Sequence, residues 1–279
     1  CIRDRVEVLV SMIKALHETA DEKLIKILGT GIAVPGRVDP KSGMVWAPNI
    51  AGWIDLDLQN VLSQRIDVSK GAVHIDSDRS CYILGEQWKG NARGATDAIF
   101  VAVGTGIGAG ILSNGQIING HGGTAGAIGW LALDRPFINA YKQYGCYEYH
   151  ASGTGLALHY QKSINAEKSA HDETRPARSL TAHDLFSAYQ NGDAIAGKII
   201  DDAIELWGMA TANLISLFNP QIIIFGGGVF GPAVSLIDKI QLEAEKWSQP
   251  LGFKEVKMTR SALGDDAGLY GAAKLALMN

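Results

Sequence analysis

The sequence predicts an α/β protein of two lobes. Apolar runs of strand length alternate with amphipathic stretches of helical period along most of the chain. A glycine-rich hairpin stands at its middle, in AIFVAVGTGIGAGIL (98–112). The strongest helical pattern, over 193–218, runs almost directly into a pure apolar strand and a triple glycine at 226–228.

Residues 2–20 place Val6, Leu9, Val10, Ile13 and Leu16 on one helical stripe. His17 stands at the edge of that stripe and reads as a packing residue rather than a ligand. KLIKILGTGIAVPG (23–36) reads as a buried strand over 25–34 that stops at Pro35-Gly36. A turn at 39–43 precedes a short strand at 44–46, and Ala47-Pro48-Asn49 is a loop. Asp57 opens a short helix through Leu62, and 72–76 is a further strand. Asp76-Ser77-Asp78-Arg79-Ser80 then enters a helix carrying Cys81, Ile83, Leu84, Glu86 and Trp88. NARGAT (91–96) is a polar connector.

In the central hairpin, Ile99, Phe100, Val101 and Val103 run into Gly104-Thr105-Gly106, followed by Gly108, Gly110 and Ile111-Leu112. This is a strand, a turn nearly free of side chains, and a second strand. Glycine admits positive φ and lets another molecule reach the backbone N–H groups. Such a tip can hold a phosphate as a nest of donors does. It has no P-loop lysine and no helix follows, so it is neither a Walker A loop nor a dinucleotide fingerprint. A tight hairpin with no ligand is the alternative.

A partner strand at 116–118, a glycine loop at 120–129 and a strand at 130–133 come next. Residues 134–150 are irregular and aromatic-rich. A helix is predicted over 153–163, a charged surface loop over 164–179 and a helix from 181 through Tyr189. The long helix over 193–218 repeats Ile195, Ile199, Ala203, Ile204, Trp207, Ala210, Leu214, Ile215 and Phe218, and Asn219-Pro220 stops it. A buried strand (221–225), a helix (234–247), a strand (256–258) and a final small-residue helix (269–277) complete the chain.

A net charge of −4 gives no electrostatic case for nucleic acid or a membrane surface. No apolar run approaches a membrane span, and no secretory segment opens the chain. Cys1, Cys81 and Cys146 lack paired spacing, which suits a reducing cytoplasm. The chain opens with Cys rather than Met, so a fragment or processed form is expected.

Six stretches, in this order, resemble the ROK family of sugar kinases and sugar-responsive repressors, which has the two-lobed actin/hexokinase-like (ribonuclease H-like) ATPase fold. GIAVPGRVDPKSGMVWAPNIAGW resembles its sugar-side loop, and IDSDRSCYILGE the stretch holding its catalytic aspartate. VGTGIGAGIL resembles its second phosphate loop, and GHGGTAGAIGW the loop before its metal site. IIIFGGGVFG resembles its adenosine-binding strand and turn, and LGDDAGLYGAA its last connecting helix. The resemblance implies an N-terminal lobe over 1–95, with 265–279 packing back on it, and a C-terminal lobe over 96–264 with the nucleotide loops.

The resemblance also implies ATP and Mg²⁺ as cofactors and a role for each site residue. A carboxylate must accept the sugar hydroxyl's proton as the γ-phosphoryl group moves across, and Asp78 sits where the family keeps that base. An N-cap aspartate is the alternative. Asn49, Gly123 and Glu148 match sugar contacts; for Asn49 a turn residue and for Glu148 a solvated loop carboxylate stand beside that reading. Gly104, Thr105 and Gly106 would cradle phosphates. Gly226 and Gly227 would let the adenosine approach the backbone, or simply turn the chain. Asp265 and Asp266 read as a helix cap, with a Mg²⁺-linked role as the alternative.

The chain also departs from the family pattern. Ala127 and Trp130 replace a Glu and a His, removing two sugar partners, one of them also a metal ligand. Of three zinc cysteines only Cys146 remains, with Asn139 and Tyr141 at the other two positions. One thiolate with only His150 nearby cannot close a tetrahedral site, so no structural zinc and no metal-ligating residue is expected. Arg79 beside Asp78 would favour its ionised form; a surface position is the alternative. The family's opening phosphate- and Mg²⁺-binding β-hairpin is absent, so the strand over 25–34 is expected to leave an open edge and this polypeptide alone to be inactive. Two functions stay open: an ATP-dependent sugar kinase, or a sugar-responsive regulator or inactive sugar-binding protein. A DNA partner is expected only if a helix-turn-helix precedes Cys1. A homodimer or homotetramer is expected, with no membrane partner.

Overall fold

In the computed structural model, which describes residues 2–168 and 179–278, the first helix, α1 (Ile2–Glu22), buries Val6, Val10 and Ile13 on one stripe. His17 is buried there too, with Nε2 3.5 Å from Thr30 Oγ1. The expected strand starts late. The N–H groups of Lys23, Leu24 and Ile25 bond back to carbonyls of the last turn of α1, and Leu24 turns the chain at φ 53°. Those donors are spent on closing the helix, so Ile25 and Leu28 remain exposed and β1 spans only Gly29–Val34.

A small hairpin, β2 (Arg37–Val38) and β3 (Val45–Trp46), follows, then α2 (Leu58–Ser63), capped by Asp57. β4 (Ala72–Ser77) pairs parallel with β1. Among the described residues no strand lies on the other edge of β1. Val34, Val45, Trp53, Leu58, Leu62 and Val73 close a core against α1.

α3 (Asp78–Lys89) leads to the larger sheet, formed by β5 (Ala98–Val103), β6 (Ile107–Ser113), β7 (Gln116–Ile117), β8 (Ile222–Gly226) and β9 (Lys257–Arg260). Its order is β7-β6-β5-β8-β9, antiparallel through β5 and parallel beyond it. Between β7 and β8 come α4 (Tyr141–Tyr144), α5 (Cys146–Ala151), α6 (Gly153–Lys168), α7 (Ala182–Gln190) and α8 (Ala194–Phe218). α9 (Ile237–Trp247) and α10 (Pro250–Glu255) precede β9, and α11 (Ala267–Leu275) follows it.

Strand alternation gives the large sheet two buried faces. Ile99, Val101 and Val103 face the core built on α8, where Trp207 is fully buried and donates to the Ala151 carbonyl at 3.2 Å. Ala98 and Phe100 face α3 and α11. α11 lies close on α3: a Cβ at Gly271 would fall 1.7 Å from the Cys81 carbonyl oxygen. Buried Glu86 fastens α3 further, accepting from Asn91 N, Ser261 Oγ and Leu263 N.

Other local expectations change. The strand expected over 130–133 does not form: residues 128–130 make a 3₁₀ turn, because the Trp130 and Leu131 N–H groups bond to Ala127 and Ile128, and 131–133 are irregular. The irregular stretch contains α4 and α5. Residues 164–168 of the expected loop belong to α6; its remainder through 178 lies outside the described residues. Asp265 and Asp266 make no side-chain cap bond. Cys81 and Cys146 are buried free thiols. Among the described residues no helix is long and apolar enough to cross a membrane.

Candidate active site

The junction of β4 and α3 decides what Asp78 can do. The N-cap of α3 is Ser77, whose Oγ accepts from Ser80 N at 3.2 Å. Asp78 is therefore the first helical residue and not the cap. Its Oδ1 accepts from the Arg79 N–H at 2.8 Å, and the Tyr82 hydroxyl donates to the same carboxylate. Burial pushes the Asp78 carboxyl above its usual range, opposed by those donors and by the Arg79 charge. Tyr82 is pushed up to about 12, by burial first and then by Asp78.

Asp76 is also raised by burial, against the Ser77 N–H that its Oδ1 accepts at 2.6 Å and the polar side chains of Ser80 and Asn119 nearby. Ser80 Oγ donates to Asn119 Oδ1 at 3.1 Å, bolting the start of α3 to the glycine loop that begins at Gly120. The Arg79 side chain crosses β6 at Gly108, and its Nη2 donates to the Gly36 carbonyl at 3.3 Å. Arg79 is thus no surface residue: it spans from α3 to the sugar-side loop.

Glu148 approaches the same end of that strand, one residue from where Arg79 crosses it. Its Oε2 accepts from the Ile107 N–H at 2.6 Å. A Cβ at Gly106 would fall 2.6 Å from that oxygen. Glu148 is thus a half-buried carboxylate docked on the start of β6, not a solvated loop residue. Burial pushes its carboxyl up, and the Ile107 N–H opposes that. Gly123, at φ 71°, lies against the Val38 carbonyl and the Arg37 stem, joining the glycine loop to β2. Arg37 Nε and the Trp53 indole N–H are buried without a protein partner among the described residues. Asn49 is exposed in the turn after β3. Trp130 is 57% exposed.

Beyond the hairpin tip lies a cavity of about 610 Å³, lined among others by Gly104, Thr105, Gly153, Thr154, Thr181 and Gly228. It has the size of a small-molecule site. Gly153 opens α6, so the positive end of a helix of 16 residues faces the cavity. Of the five glycine-loop residues expected at the nucleotide, Gly104 and Thr105 line the cavity. Gly106 packs on Glu148 instead. Gly226 faces the Phe100 ring and Gly227 turns at φ 86° against Val103, so both shape the turn while Gly228 and Val229 form the wall.

The residues present do not fit a tetrahedral zinc. Tyr141 and Asn139 supply no thiolate, and the Tyr141 hydroxyl stands between Asp134 and His150. Among the described residues no group of three or more His, Cys, Asp or Glu is placed to hold a metal.

The ROK family profile matches residues 3–279. The chain belongs to the ROK family. It is 33% identical over 259 residues to the glucokinase of Halalkalibacterium halodurans, spanning 89% of this chain and 76% of that enzyme. It is 26% identical over 275 residues to the xylose repressor of Caldicellulosiruptor bescii, spanning 98% of this chain and 68% of the repressor. A ROK family glucokinase from Streptomyces griseus, solved with glucose and AMPPNP, superposes with a TM-score of 0.77 at 28% identity, covering 98% of this chain and 88% of that one. The fold is the actin/hexokinase-like α/β fold of the ROK sugar kinases. Kinases and repressors both carry it, so the choice between them rests on the site.

Proposed function

We propose that this chain serves an ATP-dependent sugar kinase that transfers the γ-phosphoryl group to a sugar hydroxyl. The observation that carries the reading is Asp78. Ser77 relieves it of capping, and its carboxylate stays half-buried beside Arg79, whose side chain crosses β6 just past the Gly104–Thr105 tip. The sugar hydroxyl gives its proton to Asp78, its oxygen forms the bond to the γ-phosphorus, and the bond to the leaving ADP breaks. The hairpin tip at Thr105 and the start of α6 at Thr154 receive phosphate charge, while Gly104, whose N–H is given to the Gly106 carbonyl, lines the wall without a Cβ. Gly106, Gly226 and Gly227 shape that side without lining it. Glu148, Gly123 and Asn49 act on the sugar side. Mg²⁺ bound with ATP supplies charge neutralisation on the phosphates. The two lobes are residues 1–95 with 265–279, and residues 96–264.

A coupled ADP-release assay on the intact parent protein, across hexoses and aminosugars, tests the reading. Asp78→Asn is expected to lower kcat by about 10²–10⁴-fold while sugar binding, followed by calorimetry, persists. Silence with every sugar, with wild type and Asp78→Asn alike, would overturn it. The replacement of the expected Glu and His by Ala127 and exposed Trp130 favours the second reading in that event, a sugar-responsive regulator.

A further inference from the structure

We infer that Asp134, Tyr141 and His150 form a metal-free hydrogen-bonded clasp that positions Glu148. The inference rests on the reading of Glu148 as a sugar contact and concerns what holds it there. Glu148 lies on α5, a helix of only six residues. So short a helix has no stability of its own and takes its place from tertiary contacts. One end of α5 is anchored by the Glu148 carboxylate on Ile107 N–H. The other carries His150.

The clasp closes at His150. Its Nε2 lies 2.7 Å from the Tyr141 hydroxyl and 3.3 Å from Asp134 Oδ2, and the Tyr141 hydroxyl donates to Asp134 Oδ2 at 3.0 Å. A phenol has a single proton. Since Tyr141 gives it to Asp134, His150 must present Nε2–H to the phenol oxygen. The donors therefore run in one direction, from His150 to Tyr141 to the Asp134 carboxylate. Burial and the Asp134 carboxylate push the Tyr141 phenol well up, which keeps its proton in place. Burial holds His150 below its usual range, which keeps it neutral near pH 7.

Ring packing stiffens the same unit. Tyr141 meets His150 edge-on at 5.5 Å, and His150 stacks on His159 of α6 at 5.1 Å and 8°. His159 Nε2 lies 3.2 Å from the Tyr149 carbonyl. Cys146 and His150, four apart on α5, would meet a metal on one face of the helix. Instead His150 pairs with the Tyr141 hydroxyl, and Cys146 Sγ is turned to the Asp134 carbonyl at 3.9 Å. The clasp thus ties the segment after Trp130 to the helix carrying Glu148 without a cation.

Three variants and three readouts test it. Tyr141→Phe removes the hydroxyl and keeps the ring; Asp134→Asn keeps an acceptor oxygen where Asp134→Ala does not. Amide hydrogen exchange is followed over residues 146–152, initial rates give separate KM values for sugar and ATP, and elemental mass spectrometry gives bound metal. Tyr141→Phe and Asp134→Ala are expected to speed exchange and raise sugar KM about tenfold, the worth of one hydrogen bond to a charged group. ATP KM should stay within about twofold, a split that general loosening of the fold would not produce. Asp134→Asn should recover part of the effect, and the wild-type protein should carry no stoichiometric metal. Exchange and sugar KM unchanged in Tyr141→Phe and Asp134→Ala, or one bound metal per chain, would overturn the clasp. If no sugar is bound or phosphorylated yet exchange still rises in these variants, the clasp stands and the kinase reading falls.

Discussion

Asp78 can serve as a base only while ionised, and its surroundings work against ionisation. Burial raises its carboxyl above the usual value, and the Arg79 N–H, the Arg79 charge and the Tyr82 hydroxyl only partly offset that. The ionised fraction grows with pH, so the acid limb of kcat/KM is expected above the ordinary aspartate value of about 3.9. Tyr82→Phe removes a donor that favours the carboxylate, so the limb should move further toward alkaline pH. A pH–rate profile of both proteins checks this. The stability consequence has a definite sign. The folded state holds this proton more tightly than the unfolded chain, so the contribution is complete below the unfolded pKa and lost as pH rises through the folded one. Asp78→Asn should therefore melt no lower than wild type at pH 7, and higher if burial outweighs the lost acceptor, while its activity falls.

Among elements, α3 and α11 meet backbone to backbone beside the site. Gly271→Ala would put a methyl 1.7 Å from the Cys81 carbonyl oxygen, with backbone on both sides. Overpacking of this kind costs about 1–3 kcal/mol or more. The variant should unfold at lower urea with an unchanged m-value. It should also lower kcat, because α3 carries Asp78 on its first turn. Elements with strong local periodicity are legible from residue spacing alone: α1, α8, β8 and the β5–β6 hairpin lie close to where their patterns place them. The differences fall where backbone donors found nearer partners. Apolar residues at 25–28 have the pattern of a strand, yet the donors at 23–25 are taken by α1. Residues at 130–133 have that pattern too, yet the donors of Trp130 and Leu131 close a 3₁₀ turn.

For the whole molecule, the cavity of about 610 Å³ draws its walls from the β5–β6 tip, the start of α6, the start of α7 and the turn after β8. A ligand that seats there links segments distant in sequence and should stabilise the folded state as a unit. At a hundredfold excess over Kd, a non-hydrolysable ATP analogue is expected to add about 2.7 kcal/mol, read as an upward shift in melting temperature. The absence of any shift with nucleotide at millimolar concentration would remove the cavity from the nucleotide reading. The candidate site was legible in residue types and order: the segments carrying Asp78 and Glu148 both pack on β6, next to the Gly104–Thr105 tip. Their partners were not: Arg79 reaches a carbonyl 43 residues away, and Glu148 takes an N–H 41 residues away.

Residue order and spacing suffice to read the α/β class, the hairpin with a bare tip, the long helix before the buried strand, and the family. Each of these is written in spacings of a few residues, or in the order of short motifs, and needs no distant contact to be read. The closed fold is needed to see that Ser77 and not Asp78 caps α3, that Glu148 docks on β6, which glycines line a cavity and which merely admit a neighbour, and that a tyrosine hydroxyl joins Asp134 to His150. Those outcomes depend on which donors and acceptors meet once the layers close, and burial then sets the charge state of each group.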